Sequence, residues 1–150
     1  MELRERLQAA VKEAMKAKQA ERLSTLRMVS SAIKDREIAA RGEGTEVGEN
    51  DILALLGKMV KQRQESAKAY ASGGRPELEA KELNEINVIN DFLPQQVTGA
   101  DLEAAIAAAI AETGAASIKD MGRVMAVLKA NYTGMMDFGA VGAVIKAQLG

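Results

Sequence analysis

The sequence predicts an all-α protein, with a larger N-terminal domain of about four helices at residues 1–93 and a small C-terminal lobe of three helices at residues 94–150. Apolar residues recur every three or four positions, which is the period of a helix with one buried face. The hydrophobic fraction is 47% but includes only two Phe, two Tyr and no Trp, as expected for helices packed through aliphatic ridges. No stretch alternates apolar and polar residues with β-branched enrichment, so we expect no strand.

The first two helices follow from apolar spacing and a glycine-containing loop. Leu3, Leu7 and Val11 are four residues apart and predict one stripe of a helix that begins near Leu3. A second helical stretch starts near Leu23. It ends in residues 41–48, whose three glycines and few apolar side chains are typical of a loop.

Glycine and proline mark the ends of the next two helices. The third helix opens at Glu49 or Asn50 and stops at Ser72, because two glycines follow. Pro76 suits the first turn of a fourth helix, where its missing N–H costs nothing. Pro94 then ends that helix, because proline cannot continue it.

Composition changes at Pro94, which places the domain boundary there. Residues 1–93 carry 16 of the 20 Lys and Arg and 16 of the 21 Asp and Glu, whereas the remainder is rich in Ala, Val, Ile, Met and Gly. Thr98 and Ser117 are each followed by Asp three residues later, which is the spacing of a capping box. Together with Asp137 as a third cap, they predict the starts of three helices.

The absence of cysteine and histidine excludes most catalytic centres. Disulfides, thiolate nucleophiles and cysteine-based metal sites are not possible without cysteine. Histidine is the side chain that most often performs acid–base chemistry near neutral pH. No phosphate-binding loop or dinucleotide motif is present either. We therefore expect no catalytic residues, no cofactor and no metal, and no independent enzymatic activity.

Charge and hydropathy bear on partners and location. The net charge of −1 gives no overall attraction for polyanions, so any nucleic-acid contact must be local. No apolar run is long enough to cross a bilayer, and we expect no membrane partner. The charged N-terminus is not followed by an apolar segment, unlike a signal peptide. These features predict a cytoplasmic protein.

The third helix and its exit loop carry the best candidate for nucleic-acid binding. The predicted binding residues are Lys58, Lys61, Lys68 and Arg75. The three lysines share one helix face with Glu65, and the glycines before Arg75 could offer N–H groups to phosphate. The alternative is a solvated helix face with an ion pair between Lys61 and Glu65.

A second group of polar residues lies nearer the apolar stripes. Arg63 falls beside the buried side of the third helix and needs acceptors, which Glu82 and Glu85 on the next helix can supply. Arg27 could join the same cluster. We interpret these four residues as a structural polar cluster. The alternative is a carboxylate site at Glu82 and Glu85 that binds a divalent metal or acts as acid and base.

Methionines in the C-terminal lobe suggest another function. Met121 and Met125 are predicted to lie in the core, whereas Met135 and Met136 fall in a turn and are predicted to be exposed. Flexible methionine surfaces adapt to different partners. An adaptor that grips a protein through Met135, Met136 and Phe138 is therefore the alternative function.

An ordered set of short motifs resembles the GatB/YqeY domain family and spans nearly the whole chain. The motifs are Thr25-Leu26-Arg27, Lys61-Gln62-Arg63-Gln64-Glu65-Ser66 with Tyr70, Gly74-Arg75 with Leu78, Glu82 and Glu85-Ile86, Leu93-Pro94 with Gln96, and Met121-Gly122-Arg123-Val124-Met125. The chain is most similar to free-standing YqeY-like members.

This resemblance implies an all-helical fold with a larger N-terminal and a smaller C-terminal part. Similar domains form the tail of the B subunit of the glutamine-dependent Asp-tRNA/Glu-tRNA amidotransferase, where they are associated with tRNA recognition. Free-standing members carry the carbon–nitrogen ligase label of that enzyme by similarity. The resemblance therefore implies a tRNA-associated accessory module, with tRNA or a tRNA-charging or amidating enzyme as partner.

Overall fold

The computed structural model describes residues 2–150, which form seven α-helices and no strand, so the predicted all-α class is confirmed. The predicted N-terminal range begins one residue earlier, at Met1, which lies outside the described residues. The helices are α1 (Leu3–Lys16), α2 (Ala20–Glu43), α3 (Glu49–Ser72), α4 (Pro76–Asn90), α5 (Gly99–Thr113), α6 (Met121–Asn131) and α7 (Phe138–Leu149). None of these helices has the length and apolar character needed to cross a membrane.

The chain divides into two compact units, the first ending at Leu93 and the second formed by Pro94–Gly150. Each unit encloses its own hydrophobic core. The first unit contains α1 to α4, and α3 packs extensively along α4. The second contains α5 to α7, with a 3₁₀ turn at Ile118–Asp120 that leads into α6.

Aliphatic residues from all four helices build the core of the first unit. Leu26 of α2, Ile52 and Leu56 of α3 and Ile89 of α4 are fully buried, and Leu7 of α1 is nearly so. Burying one such side chain contributes about 1.5–3 kcal/mol relative to leaving it in water. These positions fix which side of α3 faces inward.

Polar contacts tie α1 to distant parts of the first unit. The Leu3 N–H donates to Glu49 Oε1 at 3.1 Å, which satisfies one of the unpaired donors at the start of α1. Arg6 Nη2 donates to the Asp91 carbonyl at 2.9 Å, and its guanidinium lies 5.4 Å from the centre of the Phe92 ring. The start of α1 is therefore tied both to the first residue of α3 and to the segment that follows α4.

The core of the second unit corrects one prediction about the methionines. Ile106, Leu128 and Ile145, one from each helix, are fully buried. Met136 joins them with only 7% of its surface exposed, so the prediction that it is exposed is wrong. The turn after α6 folds back and places its side chain in the core.

The other methionines and Phe138 lie at the edge of this core. Met121 and Met125 are only partly buried and pack against it, so the prediction that they lie in the core is confirmed only in part. Met135 is half-buried, and Phe138 is also half-buried and packs against the same core. The turn after α6 therefore does not expose Met135 and Met136 as an apolar pair.

The predicted helix caps differ in what their side chains do. Asp137 accepts hydrogen bonds from the N–H groups of Gly139 and Ala140, at 3.0 and 3.3 Å, and caps α7 as predicted. Thr98 stands at the N-cap of α5, but its side chain makes no capping hydrogen bond. The capping box predicted for Thr98 and Asp101 is therefore wrong, although the helix starts where predicted.

Candidate functional site

The predicted nucleic-acid contacts lie on the outer side of α3 and at the start of α4. Lys58, Lys61, Lys68 and Arg75 are all exposed, and we call these four residues the α3 basic surface. The opposite side of α3 supplies Ile52, Leu56, Met59 and Ala67 to the core. The lysines therefore face solvent because the apolar stripe turns them outward.

The α3 basic surface extends along the helix from Lys58 to Lys68, and a hydrogen bond of the backbone fixes Arg75 in the loop that follows. Ten residues separate Lys58 from Lys68, which is about 15 Å along the axis of an α-helix. The Arg75 N–H donates to the Tyr70 carbonyl at 2.8 Å, which fixes the loop between α3 and α4. Lys58, Lys68 and Arg75 form no ion pair with any other residue between 2 and 150.

Arg63 turns away from this surface and contacts three helices. Its Nε donates to Glu85 Oε2 on α4 at 3.0 Å, and its Nη1 donates to the Met59 carbonyl within α3 at 3.0 Å. Nη2 lies 2.9 Å from the Met28 sulfur of α2. The side chains of Arg63 and Glu85 are only 13% and 17% exposed, so this is a largely desolvated ion pair. It fixes the positions of α2, α3 and α4 relative to one another.

The structure brings together only part of the predicted polar cluster. Glu85, rather than Glu82, contacts Arg63; Glu82 is half-buried and forms no hydrogen bond or ion pair with the residues described. Arg27 points to solvent and lies outside the cluster. The thioether of Met28 was not predicted, because a weak acceptor of this kind leaves no recognisable sequence pattern.

The acids Glu82 and Glu85 do not form a ready metal site. The Glu85 carboxylate already accepts from the Arg63 guanidinium. Among residues 2–150, no group of three or more acidic side chains is placed to hold a metal ion. The arrangement supports helix packing, since a partly buried arginine requires a nearby carboxylate.

A groove that the sequence did not predict runs between α2 and α4. It has a volume of about 750 Å³ and includes Glu21, Ser24, Lys81, Asn84 and Asn87 in its lining. Asn84 Nδ2 donates to Glu21 Oε2 at 3.2 Å across it. The lining mixes both signs of charge with polar and apolar side chains.

Comparison with known proteins gives one family and a set of related sequences. The sequence model of a family described as "Yqey-like protein" matches residues 4–149. Curated relatives called "Altered inheritance of mitochondria protein 41, mitochondrial" include one from Saccharomyces cerevisiae that is 30% identical over 97 residues. Those 97 residues are 65% of this chain and 51% of the relative. The Candida glabrata protein of that name is 34% identical over 89 residues, 59% of this chain and 48% of its own length.

These relatives correct the predicted location. The chain spans about half the length of the curated relatives it matches. All those described above are mitochondrial by name, which contradicts the expectation of a cytoplasmic protein. That expectation rested on the charged N-terminus and the lack of an apolar run, and neither feature reports on a mitochondrial destination.

Proposed function

Because the chain belongs to the family of YqeY-like proteins, matched over residues 4–149, we propose that it is a tRNA-associated binding module without catalytic activity of its own. The proposal follows the similarity to the tail of the tRNA amidotransferase B subunit, in which other domains perform catalysis. Its partners would be tRNA, or an enzyme that charges or amidates tRNA. The carbon–nitrogen ligase label of the family would then belong to the assembly.

The observation that carries this proposal is the α3 basic surface. Its cations are exposed, and Lys58, Lys68 and Arg75 form no ion pair with another described residue. Lysine and arginine that contact phosphates release condensed counterions from the nucleic acid, which drives binding even when the protein has almost no net charge. Arg63 supports this surface by locking α3 against α2 and α4 rather than by touching RNA.

The type of nucleic acid follows from what the surface lacks. The chain has four aromatic residues and no Trp, so it has few side chains on which several bases could stack. Contacts from one face of a rigid helix reach phosphate and sugar, and they recognise shape more than sequence. A folded RNA of defined shape fits these contacts better than an extended single strand.

The adaptor alternative is weaker than the sequence suggested. It depended on an apolar pair at Met135 and Met136, and Met136 is part of the core of the second unit. The remaining alternative for α3 is a solvated surface that binds nothing. Direct binding measurements with charge-matched variants separate the solvated surface from the RNA-binding surface.

The test is fluorescence anisotropy of labelled total tRNA at low salt, with duplex DNA of similar length for comparison. We expect a dissociation constant of about 1–100 μM for tRNA at physiological salt, the range of contacts made mainly to phosphates, and tighter binding at low salt. Lys58→Glu/Lys68→Glu should weaken binding by about tenfold or more, because each reversal replaces attraction with repulsion.

The matched control is Lys12→Glu/Lys16→Glu, which makes the same change in net charge on exposed positions of α1. It should change the affinity less than twofold. Equal losses of tRNA affinity in both variants would mean that the net charge of the protein, and not the position of the lysines, determines binding. That outcome, or the lack of any tRNA binding at low salt, would overturn the proposal.

A further inference from the structure

The second unit contains a groove of its own, separate from the α3 basic surface. It lies between the first half of α5, the segment before that helix and the turn after α6, and we call it the α5 groove. Its volume is about 460 Å³, within the usual range for small-ligand sites. Its lining comes from residues 95–97, from Asp101 and three alanines of α5, and from Tyr132 and Met135.

Hydrogen bonds hold the two irregular walls of the α5 groove in place. The Val97 N–H donates to the Met135 carbonyl at 2.7 Å, and the Met135 N–H donates to the Tyr132 carbonyl at 2.9 Å. Gln96 Nε2 donates to the carbonyls of Pro94 and Gly134, at 3.0 and 2.7 Å. The walls are therefore joined before any ligand arrives, which lowers the entropy lost on binding.

The floor of the α5 groove suits a flat ligand. Ala104, Ala105 and Ala108 present only methyl groups along one side of α5. Tyr132 is half-buried and adds an aromatic ring beside them. Short side chains next to one ring admit a planar group that a bulkier floor would exclude.

Two polar side chains at the rim have unused hydrogen-bonding capacity. Asp101 does not form the predicted capping box, and neither Asp101 nor Gln95 makes a side-chain hydrogen bond with another residue between 2 and 150. The Asp101 carboxylate accepts hydrogen bonds and repels phosphate. Gln95 can both donate and accept. The groove thus favours a planar ligand with adjacent N–H donors over a phosphate.

We propose that the α5 groove binds an unstacked guanine base of RNA, an inference that rests on the proposed function and adds a base contact to the phosphate contacts of α3. Guanine presents two neighbouring donors, N1–H and the N2 amino group, which match both oxygens of the Asp101 carboxylate. Uracil places carbonyls beside its single N–H, and adenine places an acceptor beside its amino group. Unpaired bases of RNA are commonly recognised by stacking and by their Watson–Crick edges.

The test is an NMR titration of the full chain with GMP, and with AMP, CMP and UMP as controls of equal phosphate charge. Saturable shifts are expected for the methyl groups of Ala104 and Ala108 and for the ring of Tyr132. GMP should bind about tenfold more tightly than the other three nucleotides, the discrimination that one bidentate base contact provides.

Two matched pairs of variants locate the site. Asp101→Asn should remove the preference for GMP, whereas Glu103→Gln, an exposed acid of α5 outside the groove, should retain it. Ala104→Leu should fill the groove and abolish the shifts of Ala108 and Tyr132, whereas Ala107→Leu on the exposed side of α5 should not. Because all four positions are surface residues of a helix, unchanged helical circular dichroism will verify that each variant folds.

Several results would overturn this inference. One is an equal affinity for all four nucleotides, and another is a set of shifts confined to residues outside the groove. A third is an equal effect of the two leucine variants on the shifts caused by GMP. Tighter saturation of the groove by acetylated arginine amide than by GMP would identify a protein side chain as its occupant. If the protein binds tRNA but not GMP, the base site alone is rejected. If it binds GMP but not tRNA, only the α3 surface is rejected.

Discussion

The two units of this protein hold their helices together in different ways. In the first unit, polar side chains join residues far apart in sequence, as in Leu3 with Glu49 and Arg63 with Glu85. In the second unit, most side-chain hydrogen bonds stay within four residues, as in Asp137 with Ala140. Gln96, which donates to the Gly134 carbonyl, makes a long-range contact in this unit.

This difference follows from composition. Up to residue 93 the chain carries most of its charged side chains, and α1 to α4 use some of them as crosslinks. The second unit depends on aliphatic packing and on caps that fix where helices begin. We therefore expect ion-pair variants to damage the first unit and cap variants to damage the second.

The largest expected effect separates the two cores. Leu26→Ala removes a fully buried side chain of the first unit, and Leu128→Ala does so in the second. Each should lower the free energy of unfolding of its own unit by about 2–5 kcal/mol, because a cavity adds to the lost transfer free energy. Amide hydrogen exchange should accelerate in the unit that carries the substitution. Equal acceleration in both units would contradict separate cores.

The next effect concerns the buried ion pair. Glu85→Gln leaves the Arg63 guanidinium largely desolvated without its counter-charge, and should cost about 3 kcal/mol in chemical denaturation. The double variant Arg63→Met/Glu85→Leu should recover more than half of that loss, because neither charge remains buried. If the double variant were less stable than Glu85→Gln, the interactions of the ion pair would stabilise the fold by more than the free energy lost in desolvating its two charges.

A smaller effect tests the cap at the start of α6. The N–H of Ala116, the Arg123 guanidinium and the N–H of Ser117 all donate to Asp120 and lower the pKa of its carboxyl group from 3.8 to about 2. A lowered pKa means that ionised Asp120 stabilises the fold above pH 3.8, and that this contribution is lost as the pH falls through 2.

We therefore expect an NMR titration of wild-type Asp120 to show an apparent pKa near 2. Asp120→Asn should lose this stabilisation at neutral pH and accelerate amide exchange at residues 117–121. Glu112→Gln, which neutralises an exposed acid in α5, is the control and should leave those amides unchanged. An Asp120 carboxyl that titrates at its ordinary value would show that these hydrogen bonds are not maintained in solution.

The smallest expected effect is at the exposed ion pair between Arg22 and Asp91. Arg22 Nη1 and Asp91 Oδ2 lie 2.8 Å apart, but the side chains of Arg22 and Asp91 are 33% and 55% exposed. Arg22→Gln should therefore change the free energy of unfolding by about 0.5 kcal/mol or less, and the change should vanish at high salt. A loss as large as that of Glu85→Gln would mean that exposure does not decide the value of an ion pair here.

Local signals predicted the helices well because their causes are local. Pro76 begins α4 as predicted, since proline is tolerated at a first turn, whereas α4 ends at Asn90, before the end predicted at Pro94. Gly44 ends α2 with a φ of 73°, a conformation that glycine adopts without strain.

Features that depend on how helices pack against one another could not be predicted from spacing. Glu82 and Glu85 are one turn apart on α4, and only the alignment of α3 with α4 places Glu85 beside Arg63. The burial of Met136 depends on a turn that folds back onto the core. Asp101 had the spacing of a capping residue, yet its side chain remains available at the edge of the α5 groove.

The central claim, that α3 binds the phosphates of tRNA, is tested most directly by the salt dependence of tRNA binding. The logarithm of the association constant should fall linearly with the logarithm of salt concentration, and the slope counts the phosphates neutralised. In Lys58→Glu/Lys68→Glu the slope should be shallower by about two, since each lost phosphate contact removes about one unit. A slope equal to that of the wild-type protein would show that tRNA, if bound, does not contact the α3 basic surface.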